Sequence, residues 1–254
     1  MMFSESHLDD VFNRISSSIE FPVEAFLIGG LAMIKNKMKI ATKDIDMVFF
    51  DEKEAREFIR AALQIGFRPD TELPAEYEEM NTIMVLMDED QNRIDVFVKV
   101  VMGCLTYTDT MKSRAGTIHF GEKLTIHASS NEDIFLYKSI TSRPRDLEDM
   151  ENLARTGGLD WNVIEQEARN QPRPWKWIGR LYGRLKELED ETGIVTPLTK
   201  RLENEAVIAQ AVEILLGQIG KAEFTHHRAK EILREDDEFV DDVIAYMNRY
   251  GILK

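Results

Sequence analysis

Residues 25–50 read AFLIGGLAMIKNKMKIATKDIDMVFF, and the fold turns on how this stretch divides. Ala25 to Ile28 is a short apolar run ending in Gly29-Gly30, which reads as a buried strand entering a tight turn. Leu31 to Lys37 follows as a short helix. Asp44 to Phe50 is a second strand. Its alternation puts Asp44, Asp46 and Val48 on one face and Ile45, Met47 and Phe49 on the other. Carboxylates at i and i+2 are about 6.6 Å apart along a strand, so they share a face and can converge on one or two hard cations. A metal or basic group is needed to balance two such charges on a core-forming strand.

The pattern continues in both directions. Phe3, Leu8, Val11, Phe12, Ile15 and Ile19 have helical spacing, and Pro22 ends that helix. Glu52 to Ile65 reads as a helix stopped by Gly66. Ile83 to Met87 and Ile94 to Val101 read as strands joined by the polar turn at 88–92. Thr117 to Phe120 and Lys123 to His127 form a hairpin around Gly121. From Ser130 the chain is helical: to Lys138, over Arg145 to Arg155, after Asp160, over Trp175 to Leu188, and at about 199–217, 225–234 and 237–249. Residues 190–198 (DETGIVTPL) are the expected linker, with Gly193 and Pro197 as breakers. The expectation is an α+β catalytic domain over 1–156, a mixed sheet flanked by helices, followed by a helical region over 157–254.

Composition narrows the partners. The net charge of −14 over 254 residues argues against broad DNA binding, because phosphate repels such a surface. Lys35, Lys37, Lys39 and Lys43 stand out as either a local basic pocket or a solvated loop. The lone cysteine, Cys104, rules out an internal disulfide and a Cys-based zinc site. With an acidic N-terminus and no run long enough for a bilayer, the expected location is the cytoplasm, away from any membrane.

A third carboxylate, Asp95, sits in the apolar run Arg93-Ile94-Asp95-Val96-Phe97. Singly, each acid has an ordinary reading: Asp44 as a strand-entry cap, Asp95 on the solvent face of an amphipathic strand. In order and spacing, however, Ile28-Gly29-Gly30, thirteen residues, then Asp44-Ile45-Asp46-Met47, with Ile94-Asp95-Val96-Phe97 later, resemble the signature of the DNA polymerase beta-like nucleotidyltransferase superfamily. Asp133 to Lys138, followed by Arg143-Pro144-Arg145-Asp146 and Asp149, resembles a helix pair of its toxin-like branch, which includes the AbiEii-type proteins. The resemblance covers about residues 20–156.

That resemblance implies transfer of NMP from an NTP donor to a hydroxyl of an unknown acceptor, whether RNA, protein or a small molecule. It implies Mg²⁺ on Asp44, Asp46 and Asp95, with a two-ion site expected. Asp95 would help activate the attacking hydroxyl. Gly29, Gly30 and the Leu31 N–H would cradle the triphosphate, with Lys43 in the nucleotide site. Lys138 would contact phosphates or be an ordinary exposed lysine. Asp146 and Asp149 share a helix face, and either join the site or pair with Arg143 and Arg145. A binding or regulatory module of the same fold without catalysis, such as a toxin–antitoxin partner, is the competing reading.

The C-terminal helices offer weaker signals. His226 and His227 point about 100° apart on a helix, which argues against a shared metal. Trp161, Trp175 and Trp177 have core-packing spacing. A DNA-reading use of residues 225–254 conflicts with seven acids against five Lys or Arg there.

Overall fold

The computed structural model describes residues 5–40, 42, 44–70, 82–101, 105–219 and 224–253. They form two compact units: Met1–Lys138 with Asn152–Asp160, and Ser139–Glu151 with Trp161–Lys254.

In the first unit, helix α1 (Glu5–Ser18) leads into β1 (Val23–Ile28), α2 (Gly29–Lys35), β2 (Asp44–Phe49) and α3 (Glu52–Gln64). Strands β3 (Arg68–Pro69), β4 (Thr82–Met87) and β5 (Arg93–Val98) follow. After them come β6 (Val100–Val101), β7 (Leu105–Thr106), helix α4 (Asp109–Arg114), and the hairpin β8 (Gly116–Phe120) and β9 (Leu124–Ala128). The main sheet has seven strands in the order β3-β4-β5-β2-β1-β9-β8. It is mixed: β1 runs antiparallel to β2 and parallel to β9, while β2 runs parallel to β5.

The alternation expected of residues 44–49 decides how this sheet is covered. Ile45, Met47 and Phe49 are fully buried. Their face receives α3, where Phe58 packs 5.4 Å from Phe49, and α1, where Phe12 packs 5.1 Å from Phe120. Burial of such side chains contributes about 1.5–3 kcal/mol each, and so fixes which face is core and which is left for polar groups. On the opposite face Phe26 anchors an aromatic layer with Phe50 and Tyr107, at 5.2 and 5.0 Å. Tyr137 stacks 6.4 Å beyond Tyr107.

Local chemistry sets the element ends. Asp51 caps α3 by accepting the Lys53 N–H, and Gly66 adopts φ 111 just beyond that helix. Ser130 accepts the Asp133 N–H at the start of α5 (Asn131–Ser139). The strand expected over 94–101 is broken: Lys99 takes φ 57, and β6 turns away to pair with β7. The break is held by Lys99 N–H to the Phe49 carbonyl and Tyr107 N–H to the Lys99 carbonyl. Strands β3 and β7, of two residues each, and α4, of six, were too short to leave a period in the sequence.

Helix α6 (Pro144–Thr156) contributes to both units. The second unit continues with α7 (Trp161–Asn170), α8 (Pro174–Thr192), α9 (Pro197–Gln218), α10 (His226–Leu233) and α11 (Asp237–Arg249). Residues 190–198 are not a linker. Only 193–196 separate α8 from α9, and the two helices pack side by side. Gly193 ends α8 at φ 73, Thr196 caps α9, and Pro197 occupies the first turn of α9, where proline is favoured. The breakers make a tight reversal between packed helices. Trp175, Val212, Leu215, Val240, Val243 and Met247 share this unit's core. Trp177 is also buried, and Trp175 donates its indole N–H to Glu213 at 2.8 Å.

Candidate active site

Register brings the three aspartates onto one face. Parallel pairing of β2 with β5 sets Asp46 opposite Asp95 and Asp44 opposite Arg93. Paired residues on neighbouring strands point the same way, about 4.8 Å apart between strands. Asp44 and Asp46 are half-buried, whereas Asp95 is 6 % exposed. On the other side of β2, Ile28 pairs with Asp46, so the end of β1 delivers Gly29 directly beside that carboxylate.

Gly29 explains part of the glycine pair. Its φ is 63, in the left-handed region, and a Cβ there would collide with the Asp46 carboxylate. A Cβ on Gly30 would lie 2.6 Å from Thr42 Oγ1. Thr42 is buried, and its hydroxyl donates to the Asp44 carbonyl at 3.2 Å. The glycines expected as a tight turn are the first two residues of α2, and Ile28, its N-cap, provides no side-chain cap. Leu31 is fully buried in that first turn, so its part in the site is limited to the backbone.

Arg93 is the group that sequence reasoning missed. Its Nε and Nη2 donate to the two Asp95 oxygens at 2.6 and 2.7 Å, a forked pair on one strand. The i, i+2 spacing of Arg93 and Asp95 is visible in the sequence, but a strand expected to begin at Ile94 leaves Arg93 outside it and gives no sign of the pair. Burial removes water from Asp95, so the guanidinium is the counter-charge its carboxylate needs.

The donor set suits a hard cation in kind: carboxylates on one face, with the Asp46 carboxylate packed against Gly29, where a Cβ would displace it. Among the described residues, however, no three His, Cys, Asp or Glu groups are gathered closely enough to hold a metal ion. The fork from Arg93 takes two of the roughly four lone-pair positions of a carboxylate, which leaves acceptor capacity on Asp95.

The other expected residues are spread more widely. Lys138 is half-buried in the last turn of α5. Lys43 lies outside the described residues. Lys35 forms an ion pair with Asp9 at 2.7 Å, which commits one lysine of the basic cluster to holding α1 against α2. Asp146 and Asp149 are both buried, and Asp146 accepts the Thr141 hydroxyl at 2.5 Å, while Arg143 and Arg145 are exposed. His226 and His227 turn to different acids, Asp241 and Glu231.

A second polar group lies near the start of β1, on the same sheet face. His127 stacks on Phe26 at 4.6 Å and bonds Glu24 at 2.8 Å, and Lys112 pairs with the other Glu24 oxygen. Burial pushes the Glu24 carboxyl up, but the hydrogen bonds from Lys112 and His127 outweigh it and hold it below its ordinary value. Glu54, which accepts the Glu24 N–H, is raised by burial and by the neighbouring Asp51 and Glu24 charges. These groups satisfy one another and form a structural ion-pair cluster.

A mixed sheet flanked by helices, with an acidic face beside a glycine-opened helix start, has the architecture of a nucleotidyltransferase-type domain. A family model described as "Nucleotidyltransferase of unknown function (DUF6036)" matches residues 6–179, and the chain belongs to that family. Comparison with curated proteins gives no match. No helix among the described residues is long and apolar enough to cross a membrane.

Proposed function

We propose that the Asp44, Asp46 and Asp95 face catalyses transfer of NMP from an NTP to a hydroxyl. The observation that carries this reading is Asp46, in register with Asp95 and pressed against Gly29 at the start of α2. Fold alone does not specify chemistry, so the case rests on this arrangement within a nucleotidyltransferase family.

Asp44 and Asp46 would hold Mg²⁺, with Asp95 completing the set. Bound there, the metal would neutralise the triphosphate and stabilise charge on the attacking and leaving oxygens. The residues do the remaining work. The α2 start at Gly29 and Gly30 presents backbone N–H groups to phosphate oxygens. Asp95 takes the proton of the acceptor hydroxyl as its oxygen bonds to the α-phosphorus. The bond from that phosphorus to the β-phosphate oxygen breaks, and pyrophosphate leaves. Arg93 supplies the counter-charge to Asp95 and fixes the orientation of its carboxylate. Lys138 and Lys43 are assigned to the phosphates, and kinship with the AbiEii-type branch rests on the sequence pattern of residues 133–149.

One observation favours a second reading, a binding module without catalysis: both Asp95 oxygens are engaged by Arg93. A screen of four labelled NTPs with Mg²⁺, total RNA and total protein separates the two. Label in one fraction, lost in Asp46→Asn, supports transfer and gives the acceptor class. No incorporation, with NTP-independent capture of a protein partner, supports the module.

A further inference from the structure

The second unit carries a groove that the proposed chemistry does not use. It lies between α8 and α9, has a volume of about 460 Å³, and is floored by Gly179, Gly183, Ala206 and Ala209. A Cβ on Gly183 would meet nothing within 4 Å, so the depression is open at that point. Val207 on its wall is 50 % exposed, and Ile214, two turns further along α9, is 40 % exposed. Helix α9 thus has exposed apolar residues besides those that face its own core, where Leu202, Val212 and Leu215 are buried. A helix apolar beyond its core-facing stripe is ordinarily covered there as well.

Charge says what covers it. The α8 wall carries Lys176, Arg180 and Lys186, the last of which also pairs with Glu189 of its own helix at 3.1 Å. The α9 wall carries Glu213, and Glu203 is exposed one turn before Val207. Helices α8 and α9 are antiparallel, since Trp175 at the start of α8 bonds Glu213 near the end of α9. Rotation by 180° about an axis along the helices lays each α8 over its partner's α9. Lys176 then comes over the Glu213 end and Lys186 over the Glu203 end, twice in one interface. The alternative axis, across the helices, would oppose lysines to lysines. Small residues on the floor allow close approach, and a self-complementary patch is what a two-fold dimer requires.

We propose that this groove is a homodimer interface, in which two copies of the chain close α8 and α9 into a four-helix bundle. The test is sedimentation of the full chain at about 100 μM, far above the roughly micromolar upper end for stable interfaces. The expected mass is twice 29.3 kDa. Gly183→Trp fills the open space without a clash inside one chain, so it should give a monomer with an unchanged circular dichroism spectrum. Lys186→Glu and Glu203→Lys should each weaken self-association through like charges. Mixed together, they should recover the dimer, because both contacts of the mixed pair are complementary. A monomeric wild type would overturn the proposal, as would a dimer untouched by Gly183→Trp or single variants that do not rescue each other.

Discussion

The forked pair between Arg93 and Asp95 fixes how the acidic face behaves without a cation. Asp95 is almost wholly buried, and removing its guanidinium leaves a charge with much of its compensation gone. Arg93→Ala is expected to cost about 3–5 kcal/mol in chelator, read by urea unfolding. If Asp95 belongs to a metal site, Mg²⁺ should restore more stability to this variant than to wild type. Equal Mg²⁺ responses would remove Asp95 from the site. Gly29→Ala tests the neighbouring position. It forces a Cβ into the left-handed region and onto the Asp46 carboxylate, so a loss of roughly 1–3 kcal/mol is expected, with Asp46 displaced. A variant with wild-type stability and wild-type nucleotide binding would show that this close approach is unimportant. Asp44 and Asp46 were legible as a pair because strand period alone puts i and i+2 together. The relation of Asp46 to Asp95 was not, since register between β2 and β5 depends on residues far apart in the chain.

At the scale of elements, β1 links two polar groups on one sheet face, the acidic site at its Gly29 end and the Glu24 cluster at its start. Glu54 on α3 is held above its ordinary value of 4.5 by burial, with help from Asp51 and Glu24. The folded chain therefore binds this proton more readily than the unfolded chain. Its contribution to stability is fully present below 4.5 and is lost as pH rises through the folded value. Glu54→Gln should thus raise the melting temperature at neutral pH and leave it unchanged well below 4.5. An equal gain at both pH values would assign the effect to something other than ionisation. Most elements could be read from periodicity and caps: α1, α3 and the C-terminal helices fall within a few residues of expectation. What failed was punctuation. Gly193 and Pro197 signal a helix end and a helix start, but they do not say whether the helices pack together. Lys99 at φ 57 carries no sequence mark, because lysine has no special preference for that region.

For the molecule as a whole, the mixed sheet and the family match agree on a nucleotidyltransferase-type domain, and the α8–α9 groove suggests how the helical part is used. The α+β class was legible because the hydrophobic period changes near Ser130. The division into units was not, because α6 spans both, and a helix period says nothing about which core each turn joins. The central claim is that the face of Asp44, Asp46 and Asp95 binds a nucleoside triphosphate with Mg²⁺. Calorimetric titration of each NTP into wild type and Asp46→Asn, with Mg²⁺ and with chelator, tests it most directly. Saturable binding of at least one NTP that needs Mg²⁺ and is lost in Asp46→Asn is the predicted result. Binding undiminished in Asp46→Asn, or equal with and without Mg²⁺, would contradict it.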